Sequence, residues 1–168
     1  GFNSADMAVL KEEIEKLKPG DIYVEIGVDE GRSARVAHEY ADPDVFKIYI
    51  DIHDPDAHSV SIGRRKWMEQ ENMVGLGKKG FYVHGDADEF AKIFLRIDSS
   101  KFVSLMLFDG HHDYESIRQN TLMWGPFIKS SGVILFHDYD HPDTKRFLDE
   151  HYGSKKEILY GKIVRVKK

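Results

Sequence analysis

Two apolar runs constrain the fold more than any other feature of this chain. Ser104 to Tyr114 reads SLMLFDGHHDY, an apolar stretch that stops at Asp109-Gly110 and gives way to His111, His112, Asp113 and Tyr114. Gly132 to Tyr139 reads GVILFHDY and ends in His137 and Asp138. Short apolar runs without alternation are read as strands buried on both faces, and a helix-length segment between two of them makes them parallel neighbours in one sheet. Their carboxyl ends then share one edge, where open α/β sheets bind ligands. Asp109, His112, His137 and Asp138 are therefore expected to converge on one site.

The rest of the chain repeats the same alternation. Ser4 is positioned to cap a helix through about Leu17, with Met7, Leu10, Ile14 and Leu17 on one stripe and Pro19-Gly20 ending it. Strands are expected at Ile22 to Ile26, Phe46 to Ile52 and Phe81 to Val83, and helices at Ser33 to Tyr40, Ile62 to Val74 and from Asp88, the expected cap, through Ile97. Tyr114 to Lys129 reads as a helix with Ile117, Trp124 and Phe127 inward, and Asp143 to His151 as another. Glu157 to Tyr160 and Lys162 to Val166, hinged at Gly161, read as a tight antiparallel hairpin. Strand-helix units in series predict an α/β fold: a doubly wound, Rossmann-like, seven-stranded sheet, mostly parallel with a C-terminal antiparallel hairpin, in a single domain over residues 1–168.

Composition excludes several functions. The formal net charge of −5 argues against a nucleic-acid partner, which needs a basic face. No apolar run reaches the roughly 20 residues of a membrane span, so no membrane partner is expected. The absence of cysteine removes thiolate chemistry and disulfides and makes a cytoplasmic setting the plain reading. Gly1 in place of a methionine reads as a processing remnant, so the first residues carry little weight. The expected partner is a small-molecule acceptor, with homo-oligomerisation left open.

An acid stands at or near the end of every parallel strand: Glu25, Asp51, Asp86, Asp109 and Asp138. A single Asp there is commonly a helix cap or turn residue. Five on one rim repel one another unless a cation, a metal or a set of donors compensates them. The first loop, Glu25-Ile26-Gly27-Val28-Asp29-Glu30-Gly31, spaces two glycines by four. A dinucleotide fingerprint needs glycine at position 29 to admit a pyrophosphate, and Asp29 and Glu30 stand there instead. The loop suits a ligand without phosphate.

On these residues the chain resembles class I S-adenosylmethionine-dependent methyltransferases. Glu25, Gly27 and Gly31 match that family's first motif, Asp51 its second and Asp86 its third, in order and on the matching strands. Asp109-Gly110-His111-His112-Asp113-Tyr114-Glu115 and His137-Asp138-Tyr139 are similar to a subgroup that includes macrocin-type sugar O-methyltransferases, some of which use a divalent metal. The chain departs from that pattern with His at 111, His at 137 where the metal-dependent sugar enzymes carry a second Asp, and Ser130-Ser131-Gly132 before the last parallel strand.

The resemblance implies that Glu25 and the Gly27 to Gly31 backbone, with Val28, hold the methionine part of S-adenosylmethionine. Asp51 and Ile52 take the ribose side, Asp86 and Ala87 the adenine, and Asp109 borders the methionyl amine. His112 and His137 are the candidate bases, with Asp109 beside them, since imidazole titrates near neutral pH. Asp109, His137 and Asp138 could instead hold Mg²⁺ or Mn²⁺. His53 is expected at the pocket entrance, His38, His58 and His151 at the surface, and Arg64-Arg65-Lys66 on a solvated helix face. The reaction expected is O-methylation of a small hydroxylated molecule. Its rivals are a metal-dependent hydrolase or oxygenase built on the His/Asp cluster, and a cofactor-binding module without catalysis.

Overall fold

A computed structural model describes residues 2–29, 31–52, 80–97 and 100–168. The expected helix at Ile62 to Val74, His53, His58, Glu30 and the Arg64 to Lys66 run lie outside the described residues.

The elements are α1 (Ser4–Ile14), β1 (Ile22–Ile26), α2 (Arg32–Tyr40), β2 (Phe46–Asp51), β3 (Gly80–His84), α3 (Ala87–Ile97), β4 (Val103–Phe108), α4 (Tyr114–Trp124), β5 (Ile128–Phe136), α5 (Pro142–Tyr152), β6 (Lys156–Ile158) and β7 (Val164–Lys167). They build one seven-stranded sheet in the order β3-β2-β1-β4-β5-β7-β6. The pairs β1–β2, β1–β4, β2–β3 and β4–β5 are parallel; β7 runs antiparallel to both β5 and β6. The predicted fold class is thus the observed one.

Strand periodicity divides the core in two. Val24 and Ile26 face one way, with Ala91 of α3, Ile117 and Trp124 of α4 and Phe147 of α5 in the same cluster. Tyr23 faces the other way, in a cluster with Leu10 and Ile14 of α1, Ala34 and Ala37 of α2 and Tyr49 of β2. Each fully buried large side chain contributes roughly 1.5–3 kcal/mol. Trp124, with no exposed surface, also donates its indole N–H to the Ala87 carbonyl at 3.1 Å and so ties the end of α4 to the start of α3.

Several boundaries differ from the sequence reading, each for a local reason. Asn3, not Ser4, caps α1, in a reciprocal capping box with Asp6. That helix ends at Ile14, because its last turn tightens into bonds from Lys16 to Glu13 and Leu17 to Ile14 before Pro19. Asp86, not Asp88, caps α3 by accepting the amides of Asp88 and Glu89. α4 stops at Trp124 and a 3₁₀ turn over Gly125–Phe127 follows, since Pro126 has no amide to continue the helix; β5 therefore starts at Ile128. The terminal hairpin is wider than a tight turn: β6 and β7 are joined through Leu159–Ile163, closed by Leu159 N–H to Ile163 O at 2.9 Å.

Candidate functional site

Backbone hydrogen bonds run past the strand ends and set the first loop residues side by side. Gly27 donates to Ile50 O, Gly85 to Asp51 O, Asp109 to Ile26 O and His137 to Phe108 O, at 2.8–3.0 Å. The loops after β1 and β4 touch so closely that a Cβ on Gly27 would sit 2.3 Å from the Asp109 carbonyl oxygen, and Gly27 also has φ +84°. Only glycine meets both conditions.

These loops open onto a cavity of about 300 Å³, within the size range of small-molecule sites. Of the residues expected to hold a cofactor, Gly27, Asp51, Ile52, Asp86, Ala87 and Asp109 line it; Glu25, Val28 and Gly31 do not. His112 and Asp138 line it and His137 does not. Sequence reasoning gave no role to two further wall residues, Gly85 and Asn120. Asn120 of α4 donates to Asp88 Oδ1 at 2.7 Å. Its helical spacing from Ile117 and Trp124 puts it at the margin of the buried face, a weak signal that was there to read.

Each of the five strand-end acids is compensated differently. Glu25 is fully buried; its oxygens accept from Ser33 Oγ at 2.5 Å and Tyr23 OH at 2.8 Å. Burial pushes its carboxyl up to about 8, against those two hydrogen bonds, so it keeps its proton at neutral pH. Asp51 Oδ2 accepts the amides of Val28 and Asp29 at 2.8 and 2.9 Å. The donors that would cradle a phosphate are thereby spent on a carboxylate. Asp86 caps α3.

The last two acids meet around His137. Its Nδ1 lies 2.6 Å from Asp109 Oδ1 and 3.4 Å from Asp138 Oδ2, and its Nε2 lies 3.2 Å from Asp6 Oδ2. The ring is fully buried and stacks on Phe2 at 4.4 Å. Burial opposes a charge on it, but the hydrogen bonds and charges of Asp109 and Asp138 outweigh burial and push it up to about 10. Burial also raises Asp109, its bond to His137 working against that. Asp138 is held well below the ordinary carboxylate range, first by its hydrogen bond to His137. It also faces His112 Nε2 at 3.3 Å and Lys162 Nζ at 3.5 Å, and adopts a left-handed φ of +53°.

This geometry bears on two expectations. A base must reach the acceptor's proton, and His137 has both nitrogens against carboxylates and no side-chain exposure, whereas His112 lies on the cavity wall. Asp109, His137 and Asp138 each bring one ligand atom within 4.8 Å of the others. Mg²⁺ holds ligands at about 2.1 Å, which sets neighbouring ligand atoms about 3 Å apart. The 2.6 Å contact of His137 with Asp109 has the length of a hydrogen bond instead. As built, the three groups are bonded to one another, and a divalent cation held by them would have to displace the contact between His137 and Asp109. Among the described residues this is the one such cluster, and it has a single histidine.

The residues missed outright are Phe2 and Asp6. Asp6 is fully buried and accepts Asn3 N–H and His137 Nε2 on Oδ2 and Lys162 N–H on Oδ1. Its place three residues after Asn3 signals a capping box, and nothing in the sequence connects it to position 137.

A family profile described as a methyltransferase domain matches residues 24–139. No curated protein matches. Among solved structures, the chain is similar to CalS11, a TDP-rhamnose 3′-O-methyltransferase of calicheamicin biosynthesis, seen in two structures at TM-scores of 0.67 and 0.68. The identity is 16%, over 96% of this chain and 76% of that one. It is also similar to a putative rRNA-methylase from Clostridium thermocellum, at a TM-score of 0.68 and 13% identity, over 99% and 97% of the two chains. Likeness at these identities speaks for the fold.

Proposed function

This chain belongs to the methyltransferase-domain family, and from that premise we propose that it transfers a methyl group from S-adenosylmethionine to an oxygen of a small hydroxylated molecule. The observation that carries the choice of cofactor is the Val28 and Asp29 amides bound to Asp51 beside the cavity. A loop wired this way repels a pyrophosphate and presents a carboxylate to ribose hydroxyls. The acidic rim suits a sulfonium cation. CalS11, by its name an O-methyltransferase, has the same fold, which is in line with oxygen as the acceptor. The net charge of −5 speaks against an RNA acceptor.

S-adenosylmethionine, when bound, supplies an electrophilic methyl group. Asp51 accepts the ribose hydroxyls, and its orientation is fixed by the two loop amides. Ile52 and Ala87 offer apolar surface to the adenine, beside Asp86. Gly27 lets the backbone approach the methionine end, next to Asp109. His112, on the cavity wall with Nε2 toward Asp138, has its other ring nitrogen to take the acceptor's proton. Asp138 holds that ring in place and stabilises it once charged. A metal-assisted version would use Asp109, His137 and Asp138, and the protein's own hydrogen bonds already occupy those groups; no step is routed through a metal.

Calorimetry tests the cofactor. S-adenosylmethionine is expected to bind in the micromolar range, about −8 kcal/mol, and NAD far more weakly. Tighter binding of NAD overturns the reading. Release of S-adenosylhomocysteine with a panel of hydroxylated acceptors tests the reaction, and turnover is expected to survive excess chelator.

A further inference from the structure

We infer that the His137 side chain, clamped between Asp6 and Asp109, is the resident cation of this site, standing where a divalent metal would otherwise join the ends of β4 and β5, and that Asp6 is its positioning residue.

Hydrogen-bond counting carries this. Both ring nitrogens face carboxylate oxygens, at 2.6 Å and 3.2 Å. Carboxylates accept, so both nitrogens donate and the ring bears a positive charge. Two acids at adjacent strand ends need such a charge, because side by side they repel. The buried ring supplies it within contact of both Asp109 and Asp138, and its raised pKa agrees with that charge.

The clamp is built from both ends of the chain. Asp6 reaches His137 from the first turn of α1, and Phe2 covers the ring face. The turn between β6 and β7 closes over the other Asp6 oxygen: Lys162 N–H donates to Oδ1 at 2.8 Å, while Lys162 Nζ reaches Asp140 at 2.9 Å and Asp138 at 3.5 Å. Gly161 has φ +81°, and a Cβ there would come 2.4 Å from Asp6 Oδ1. The groups facing His137 and Asp138 are thus Asp6, Asp109, His112 and Lys162, with the His137 ring and Lys162 as the cations set among three carboxylates.

The inference is read on the protein alone and does not depend on methyl transfer. Mn²⁺ titration of the full chain, followed by electron paramagnetic resonance, is expected to show no stoichiometric binding at millimolar metal. His137→Asp, which places a carboxylate where the imidazolium stood, is expected to tighten Mn²⁺ binding at least tenfold. In a long-range ¹H–¹⁵N spectrum at pH 8 both His137 nitrogens should carry protons. Asp6→Asn, close in shape, should return the ring to one proton at that pH. One Mn²⁺ bound per wild-type chain and lost in Asp109→Asn overturns the inference, as does a singly protonated His137 in the wild type. Ring signals unchanged in Asp6→Asn overturn the role given to Asp6.

Discussion

Asp6 and His137 stand 131 positions apart in the chain, and Asp6 Oδ2 lies 3.2 Å from His137 Nε2 with neither side chain exposed. The contact joins the first helix to the end of a central strand, behind the Asp109 and Asp138 that line the cavity. Breaking a buried pair leaves the partner charge uncompensated and typically costs about 3–5 kcal/mol. Asp6→Ala also strands the Asn3 and Lys162 amides. Urea denaturation should show a loss of at least that order; a midpoint near wild type would remove the claim that this contact matters.

Stability should fall as pH rises from about 4.5 toward 10. Glu25 goes from an ordinary 4.5 to about 8 on folding and His137 from 6.5 to about 10. In both cases the folded state binds the extra proton, so the contribution is complete below the unfolded value and lost as pH passes the folded one. Asp138 acts at the other limit: its lowered carboxyl contributes above the ordinary 3.8 and is lost in acid. Denaturation midpoints from pH 4 to 10 check the slope. Glu25→Gln should flatten it between 4.5 and 8 and leave the segment up to 10.

Asp51→Ala should weaken S-adenosylmethionine binding by about 1–3 kcal/mol, the cost of stranding hydrogen-bond donors. It also releases the Val28 and Asp29 amides, so the loop loses its anchor. Calorimetric titration measures it. An unchanged dissociation constant would separate Asp51 from the cofactor.

His112→Gln should lower kcat by roughly 10²–10⁴-fold, the usual contribution of a general base, with cofactor affinity unchanged. Asp138→Asn should lower kcat as well, since it removes the charge behind His112 at 3.3 Å. Steady-state release of S-adenosylhomocysteine reads both. Full activity in His112→Gln would place the base elsewhere.

Gly27→Ala should damage both fold and site. The new methyl would press on the Asp109 carbonyl, and a non-glycine residue at φ +84° adds about 1 kcal/mol or more. A lowered urea midpoint together with weakened cofactor binding is expected. Normal values for both would mean that the loops after β1 and β4 can separate freely.

Periodicity and punctuation in the sequence determined the sheet. Apolar runs such as Leu105 to Phe108 and Ile134 to Phe136 have too little polar surface to be anything but central strands. Their alternation with helices leaves a parallel order with acids along one rim, and Asp29 in the glycine loop already spoke against a pyrophosphate. These are local properties, set within a few residues by steric and hydrophobic preference. What became of the acids was decided only by the tertiary structure. Asp51 turned back to its neighbour's loop, Asp86 capped a helix, and His137 went inward to Asp6 and Asp109 rather than outward to substrate. A hydrogen bond depends on distances of a few tenths of an ångström between groups that packing brings together. The sequence records that Asp6 and His137 are present; only the meeting of α1, β5 and the final hairpin turn makes them partners.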